Sequence, residues 1–538
     1  MLEAFRRGQF DQIEIIGQAD EKAFFELCFQ EKIFSALVQQ MPTARKKEDV
    51  PAWFILVGNL SLKLHLENSF YAFERVVRCG GLLQALPPEI ASKHWDPETE
   101  RILLECQGFN DKNAYPRRTP CNQDTLRKFV KDVPAPQWLE WYNGPVQQVF
   151  QRYGFFDPAG IFIGDASYLF VPDNPAYEGS VVMWFDEHNH PVEYDKLTPE
   201  QRKRARRQRC YKLVSLLHRR GPCYVQAALA LLPGNAHECP GLYQLVENFV
   251  KHVGRGVIKL LILDRGFVDG KSISRCKQEW GIDVLLPMKQ KMDIWTDAWA
   301  LSQQCPWQEW VAPAPAPRAV AAQRPQVIVR REAKRQKTLA ARKAQAPAPD
   351  PAKLVQRTEL CPIKGFTSWS ECAVPLNVLL LRERYADGHQ QQWGLMTTAD
   401  FTHPTQPKEQ YGWRTDIEEG YRLLKCFYDL TGFHSRDFDV IAAQVVFIFL
   451  SYTLRQWQLW KTFQEELAGK TPLLRRELLL HNEQVVIYHQ QAYTQMPLLS
   501  FSRELLELVP EARAKALVKL RKLEQSLLSP LEHIRAPP

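Results

Sequence analysis

Four side chains that can contact a phosphodiester lie in one short stretch of this 538-residue chain. In YGWRTDIEEGYRLLK (411–425), Tyr411, Arg414, Glu418 and Lys425 stand at offsets 0, 3, 7 and 14. On a helix of about 3.6 residues per turn, these offsets share one face. The carboxylate can bind a metal ion, while the guanidinium and the ammonium can hold phosphate oxygens. The structural alternative is a solvated helix with an ion pair between Arg414 and Glu418.

Two further carboxylates each follow a short apolar run. GIFIGD (160–165) ends in Asp165, and VIKLLILD (257–264) ends in Asp264. An acid at the end of a buried strand is held rigidly near the edge of a sheet, where ligands bind. Each of these Asp residues alone would also suit a plain turn. Two acids that each follow an apolar run indicate a functional role more strongly than one such acid does.

The three motifs together resemble a family of bacterial transposases. Y-x2-R-x3-E-x6-K is similar, at all four positions, to the signature of DDE-class insertion-sequence transposases of the branch numbered four. G-D-A-S-Y around Asp165 and L-D-R-G-F around Asp264 also resemble that family, in the same order along the chain. The resemblance covers roughly residues 155–460. It implies that Asp165, Asp264 and Glu418 are the catalytic and metal-binding acids.

The resemblance implies cleavage of DNA at the terminal inverted repeats of an insertion sequence, and strand transfer into target DNA. Two Mg²⁺ ions, with Mn²⁺ as a substitute, would activate the nucleophile and neutralise the leaving oxygen. Carboxylates suit such hard ions, and the 12 cysteines include no C-x-x-C pair that would indicate zinc. Double-stranded DNA is the implied partner of a homodimer that pairs two ends. Tyr411, Arg414 and Lys425 would contact the DNA.

Further DNA contacts are predicted outside the signature. Trp393, in WGLMTT, resembles the family's tryptophan that stacks on a flipped base, and packing in the core is an equal alternative. The run QRKRARRQRC (201–210) has six basic residues and no acid. It is a candidate phosphate contact, with a solvated loop as the alternative. The residues predicted to contact phosphate are Arg202, Lys203, Arg204, Arg206 and Arg207.

The rest of the sequence must supply the elements that position these groups. Strand-like apolar runs occur at 181–185, 211–217, 224–232 and 282–289, with helical patterns between and after them. This alternation predicts an α/β fold with a mixed sheet and flanking helices. The resemblance refines that expectation to a ribonuclease-H-like five-stranded sheet with a β-rich insertion. The N- and C-terminal regions are predicted to be helical.

Changes of composition divide the chain into five predicted segments. Within the insertion, residues 311–352 are rich in Pro and Ala, with nine Lys or Arg against one acid between 318 and 345, and are expected to be extended. The segments are 1–150 (helical, DNA-binding), 151–290 (first part of the catalytic domain), 291–405 (β-rich insertion), 406–460 (remainder of the catalytic domain, with the signature) and 461–538 (helical, with a role in dimerisation).

Composition also narrows the function classes. The net charge of +8 favours a polyanionic partner, and the N-terminal residues lack the apolar core of a signal peptide. The most apolar run, 441–454, is shorter than the roughly 20 residues of a membrane span and predicts a buried helix. We therefore expect a cytoplasmic protein, nucleoid-associated when bound to DNA, with no membrane partner. The alternatives are a catalytically silent DNA-binding protein derived from a transposase, and a nuclease of the same fold.

Overall fold

The chain forms two compact units in a computed structural model. The first unit comprises Met1–Lys259 and Thr415–Pro538, and the second comprises Leu260–Arg414. The five predicted segments, whose boundaries differ from these, stay predictions, and the basic segment 311–352 lies outside the described residues. The structure describes residues 2–17, 21–47, 49–74, 76, 81–87, 90–96, 101–106, 109, 120–310, 354–465, 468, 483–489 and 492–535.

Helices occur in both units. In chain order the α-helices of the described residues are α1 (Leu2–Arg6), α2 (Glu21–Gln30), α3 (Ile33–Val38), α4 (Ala52–Leu64), α5 (Leu82–Ala85), α6 (Gln123–Lys131), α7 (Ala135–Trp141), α8 (Gln147–Arg152), α9 (Pro199–Arg204), α10 (Glu238–Val253), α11 (Gly270–Trp280), α12 (Asp293–Leu301), α13 (Gln406–Gly412), α14 (Thr415–Phe427), α15 (Phe438–Lys461), α16 (Leu498–Glu507) and α17 (Pro510–Arg535).

Strands also occur in both units. In chain order the strands of the described residues are β1 (Gln12–Gly17), β2 (Ala91–Asp96), β3 (Arg101–Cys106), β4 (Ile161–Val171), β5 (Val181–Phe185), β6 (Pro191–Val192), β7 (Arg206–Arg220), β8 (Cys223–Pro233), β9 (Leu260–Leu263), β10 (Asp283–Pro287), β11 (Gln308–Glu309), β12 (Val355–Phe366), β13 (Leu376–Tyr385), β14 (Gln390–Thr397), β15 (Glu483–His489) and β16 (Ala492–Pro497).

The main strands of the first unit pair around β7. β4 runs antiparallel to β7 from Phe162 opposite His218 to Val171 opposite Arg209. β8 pairs with the later part of β7, and β5 pairs with its first residues. β7 is buried continuously from Cys210 to His218, as expected for a central strand covered on both faces. The strands predicted at 181–185, 211–217 and 224–232 are confirmed as parts of β5, β7 and β8.

The core of the first unit contains the long helix α15. Asp437 caps it by accepting hydrogen bonds from the backbone N–H groups of Asp439 and Val440. Its side chains pack against β8 and α7, and the rings of Phe447 and Trp138 lie 5.4 Å apart. By length and composition alone this helix could cross a membrane, but 89% of its apolar window is buried inside the protein. The predicted buried helix at 441–454 is therefore confirmed, and it is longer than predicted.

The second unit begins with a strand, a helix and a parallel strand. β9 and β10 pair in parallel, with α11 connecting them. β10 also pairs antiparallel with β14, and β13, β12 and β11 follow in antiparallel order. The four residues of β9 are all buried. The strands β11–β14 occupy the region for which the sequence predicted a β-rich insertion. Both units together show a mixed α/β fold, which confirms the coarser part of the fold prediction.

The two ends of the chain form a small module that contains strands. β1 pairs antiparallel with β15, and β15 pairs with β16. Phe5 and Phe10 near the N-terminus share one buried cluster with Val485 and Phe501. The prediction of helical terminal regions is therefore wrong at β1, β2, β3, β15 and β16. The pairing of β1 with β15 joins residues more than 450 positions apart, a tertiary contact that local patterns do not contain.

His218 in β7 is a fully buried imidazole with both ring nitrogens engaged. Nε2 accepts a hydrogen bond from the backbone N–H of Asp157 at 3.0 Å. Nδ1 therefore carries the proton and donates to the carbonyl oxygen of Ile161 at 3.1 Å. Burial lowers the pKa of His218 from 6.5 to about 4, although the Asp157 carboxylate acts in the opposite direction. The folded protein thus keeps this imidazole neutral over a range where an exposed one takes up a proton.

We predict that His218 makes the free energy of unfolding fall as the pH decreases from 6.5 towards 4. In this range the unfolded chain binds a proton that the folded chain excludes, so acid favours unfolding. The full effect is at most about 3 kcal/mol. Urea unfolding at several pH values measures it. His218→Gln should flatten the dependence of the free energy of unfolding on pH. His188→Gln, at an exposed position, should leave that dependence unchanged. Identical slopes for wild type and His218→Gln would contradict the prediction.

Candidate active site

Asp165 lies in the middle of β4. It is the fifth residue of an 11-residue strand, which corrects the prediction that it ends one. The strand continues because the pairing with β7 runs through the motif, with Asp165 opposite Ser215. Side chains alternate along a strand, so Asp165, Ser167 and the cross-strand neighbour Ser215 share one face.

The helix that carries Glu418, α14, is fixed on this face by Tyr421. The Tyr421 hydroxyl donates to the carbonyl oxygen of Asp165 at 2.8 Å, and it lies 2.8 Å from the hydroxyl of Ser215. Because Ser215 is on the face that carries the Asp165 side chain, the Asp165 carboxylate and α14 lie on the same side of the sheet. Burial raises the pKa of Tyr421 well above its ordinary value, and the negative charge of Asp165 adds to the rise.

Lys425 fixes the second half of α14. Its ammonium donates to the hydroxyl of Ser167 at 2.7 Å and to the carbonyl oxygen of Tyr168 at 2.8 Å. Burial lowers the pKa of Lys425 to about 8, so the ammonium is mostly charged at neutral pH. Glu418 stands seven residues before Lys425, about 20° away around the helix. It is exposed and lies on the same side of α14 as Lys425.

The start of α14 has its own anchors on β7. Arg219 and Asp416 form an ion pair at 2.6 Å, and both side chains are partly buried. Asp416 lies in the first turn, where a negative charge interacts favourably with the helix dipole. Gly420 permits close approach, since a Cβ there would lie 3.1 Å from Cδ1 of Leu217. Tyr421 and these anchors were not predicted from the sequence, although Tyr421 stands one turn after Glu418 and could have been recognised from that spacing.

The signature does not form one continuous helix. α13 ends before a two-residue turn at 413–414, and α14 begins after it. Within the turn, the Arg414 N–H donates to the carbonyl oxygen of Tyr411 at 3.0 Å. The predicted common helical stripe is therefore wrong for Tyr411 and Arg414, and it holds for Glu418 and Lys425. The glycine that precedes the turn is a poor helix former, consistent with the break.

Asp264 directly follows the buried strand β9, as predicted, although this strand is shorter than the 257–264 run. Its carbonyl accepts the N–H of Phe267 at 3.0 Å, and a short turn begins there. Asp264 belongs to the second unit, whereas Asp165 and Glu418 belong to the first. Within the described residues, no three His, Cys, Asp or Glu side chains form a group that could hold a metal ion. The convergence of the three acids on metal ions stays a prediction.

The chemistry of the available donors suits a hard cation. The ten cysteines of the described residues are free thiols. Burial raises the pKa of Cys276 to about 12 and that of Cys361 to about 11, which disfavours thiolate ligands. Carboxylate oxygens are the ligands that Mg²⁺ and Mn²⁺ prefer. Asp165, Asp264 and Glu418 are therefore chemically suited to hold such an ion.

Trp393 in the second unit belongs to an aromatic cluster with a cation at its centre. Its ring lies 6.2 Å from that of Tyr411. The Lys408 ammonium lies 5.2 Å from the ring centre of Trp393 and 4.8 Å from that of Trp310. Lys408 also pairs with Glu383 at 3.4 Å. Trp393 is half-buried, which is compatible with both of its predicted roles, and Lys408 was missed by the sequence analysis.

The basic run 201–210 forms the end of α9 and the start of β7, which excludes the predicted alternative of a loop. Arg202 donates to two backbone carbonyls in the 194–195 turn, at 3.2 and 2.9 Å, and so stabilises that turn. Arg204 and Arg207 pair with exposed carboxylates at 3.5 and 3.3 Å. Lys203 and Arg206 are exposed as well. Exposed ion pairs contribute only about 0–1 kcal/mol, so phosphates could replace these carboxylates at little cost.

Comparison with known proteins identifies the family to which the chain belongs. The profile of the family described as Transposase DDE domain matches residues 177–454, just over half of the chain. The chain belongs to the transposase DDE family. Asp264 and Glu418 of this transposase-family protein lie inside the matched residues, and Asp165 lies shortly before them. The prediction of a DDE-type transposase is confirmed at family level, while its assignment to the branch numbered four stays a prediction.

A search of curated proteins found no match. Among solved structures, the chain is similar to a piggyBac transposase in a synaptic complex with hairpin DNA, determined by cryo-electron microscopy. The two chains share 11% sequence identity with a TM-score of 0.31, over 85% of this chain and 81% of the other. Family membership supports a transposase function and, in general terms, the enzymatic activity of transposition.

We predict that Tyr421→Phe lowers the free energy of unfolding of this transposase-family protein by about 1–3 kcal/mol. The change leaves the Asp165 carbonyl and the Ser215 hydroxyl without their buried partner. Urea unfolding measures the loss, and Tyr71→Phe, at a side chain 84% exposed, is the matched control. Ser215→Ala should cost less in the Tyr421→Phe background than in the wild type. If the Tyr421→Phe variant were as stable as the wild type, α14 would be held by other contacts.

Proposed function

We propose that this protein is a transposase that cleaves DNA at the terminal inverted repeats of an insertion sequence and transfers the freed strand into target DNA. One observation carries the proposal: α14, with Glu418, is hydrogen-bonded through Tyr421 and Lys425 to the part of β4 that carries Asp165. This arrangement occurs in a chain of the transposase DDE family. It holds two of the three acids on rigid elements, on one side of a sheet.

In the proposed reaction, Asp165, Asp264 and Glu418 would hold two Mg²⁺ ions, with Mn²⁺ as a substitute. The chemistry supplied by bound ions would be activation of a water or 3′-hydroxyl and neutralisation of the leaving oxygen. The protein contributes the orientation of the carboxylates, because β4 and α14 fix the backbone at two of them. Tyr411 and Arg414 contact the DNA backbone near the scissile phosphate, and the charge of Lys425 adds a favourable potential for it.

Double-stranded DNA is the proposed partner, both as terminal repeat and as target. The exposed Lys203, Arg204, Arg206 and Arg207 contact its phosphates, and Trp393 stacks on a base near the cleaved end. Two copies of the protein pair two ends, so that one subunit cuts the end bound by the other. The sheet that carries the acids is ribonuclease-H-like in this proposal. The protein acts in the cytoplasm, on the nucleoid.

We predict that Asp165→Asn, Asp264→Asn and Glu418→Gln each reduce DNA cleavage by about 1000-fold or more, because each removes a metal-binding charge. DNA binding should persist. The measurement is Mg²⁺-dependent nicking of a duplex that contains the terminal repeat. The sequence of that repeat is obtained from the DNA that flanks the gene. Glu419→Gln is the matched control, since Glu419 adjoins Glu418 but pairs with Arg422 at 2.6 Å. Normal cleavage by any of the three variants would refute the assigned trio.

The same assays separate the two alternative functions. A wild-type protein that binds the terminal repeat but cuts it with neither Mg²⁺ nor Mn²⁺ is a catalytically silent DNA-binding protein. A protein that cuts, but does not join a pre-cut 3′-end to a second duplex, is a nuclease. Cleavage followed by joining supports the transposase.

A further inference from the structure

A cavity of about 430 Å³ opens in the first unit, and none of its lining residues belongs to β4 or to the acidic trio. Three segments line it: the 68–71 segment after α4, one face of α6, and the 434–444 segment at the start of α15. Its volume lies within the roughly 300–1,000 Å³ that is typical of ligand sites. The mechanism proposed above does not use this cavity.

The wall formed by α6 offers two cations. Arg127 and Lys131 stand four residues apart and therefore neighbour each other on the helix surface. His434 lies in the same lining. Arg127 pairs with Asp124 at 3.1 Å and Lys131 pairs with Asp437 at 3.6 Å, with all four side chains at least 29% exposed. Because such pairs contribute only about 0–1 kcal/mol, a phosphate can take the place of the carboxylates, with stronger charge-assisted hydrogen bonds.

The opposite segment presents an aromatic ring to solvent. The side chain of Tyr71 is 84% exposed, the second highest value among the exposed large hydrophobic residues of the described chain. Its backbone is nevertheless well anchored: the Ser69 hydroxyl accepts the Tyr71 N–H at 3.2 Å. When the Gln123 amide is turned by 180°, its nitrogen donates to the carbonyl oxygens of Phe70 and Tyr71 at 3.1 and 3.0 Å. An exposed ring on a fixed segment is a suitable surface for stacking of a nucleobase.

The cavity wall is also tied to the segment that follows α14. Asn68 lines the cavity, and its amide donates to the carbonyl oxygens of Asp429 and Gly432 at 2.6 and 3.2 Å. These acceptors lie a few residues after the end of α14. The cavity wall is therefore linked to the segment that directly follows the helix carrying Glu418.

We propose that this cavity binds one nucleotide of a single DNA strand, with the base stacked on Tyr71 and the phosphate held by Arg127 and Lys131. The inference rests on the proposed function only for the source of the ligand, since a free nucleotide has the same chemistry. An aromatic ring beside paired cations matches the two components of single-strand recognition, which are stacking and phosphate attraction.

The test is the affinity of the full-length protein for a fluorescently labelled 12-nucleotide thymidine strand, measured by anisotropy. Tyr71→Ala should weaken binding by about 10-fold or more, because a stacking partner is lost, and Tyr71→Phe should retain binding. Arg127→Gln and Lys131→Gln should weaken binding and lower its dependence on salt. Lys128→Gln is the matched control, since Lys128 is exposed on α6 but does not line the cavity.

Unchanged binding by Tyr71→Ala would overturn the proposal, as would equal losses from Lys128→Gln and Lys131→Gln. Competition with dTMP separates the two sources of the nucleotide. Displacement of the labelled strand by dTMP, with no tighter binding of the strand than of dTMP, would overturn the DNA assignment. The readout needs no cleavage, so failure of the transposase proposal would appear in the nicking assay and failure of this one in strand binding.

Discussion

The position of the helix that carries Glu418 depends on one buried hydroxyl, that of Tyr421, which contacts both β4 and β7. A hydrogen bond is strong in such a water-excluded place, and leaving its partners unpaired is costly. Lys425 and the Asp416–Arg219 pair extend the attachment to both ends of α14. Three polar contacts, spaced along one helix, thus fix its rotation as well as its position, and rotation decides where the Glu418 carboxylate points.

This attachment also determines the course of the chain. The first unit is interrupted after residue 259 and resumes at residue 415, so α14 must return to the sheet that the chain left. Closing such a long loop costs conformational entropy, although the cost grows slowly with length. The helix that follows α14, α15, is buried against β8 and α7, and this burial offsets the entropy cost. The pairing of β1 with β15 is a second contact in the first unit between residues far apart in the sequence.

The cations of the first unit have two different roles. Lys425 and Arg202 donate hydrogen bonds to backbone oxygens and so stabilise the local structure around them. Arg127, Lys131 and Arg204 are exposed, and among the described residues they pair with exposed or partly exposed carboxylates. The second group is the one that a phosphate can recruit, because the pairs that it breaks contribute little. These three side chains lie in α6 and α9, outside the 411–425 signature.

Local composition and periodicity predict the apolar strands β5, β7, β8 and β10 and the buried helix α15. The resemblance of three motifs predicts the transposase DDE family, which is confirmed, and the acidic trio, which stays a prediction. The three-dimensional structure was needed to show that Asp165 lies within a strand, that the signature breaks at 413–414, and that β1 pairs with β15. The place of Asp165 within β4 and the pairing of β1 with β15 depend on hydrogen bonds between residues far apart in the chain, and no short window contains both partners. The role of Tyr421 and the cavity beside Tyr71 belong to the same class, since each is assembled from distant segments.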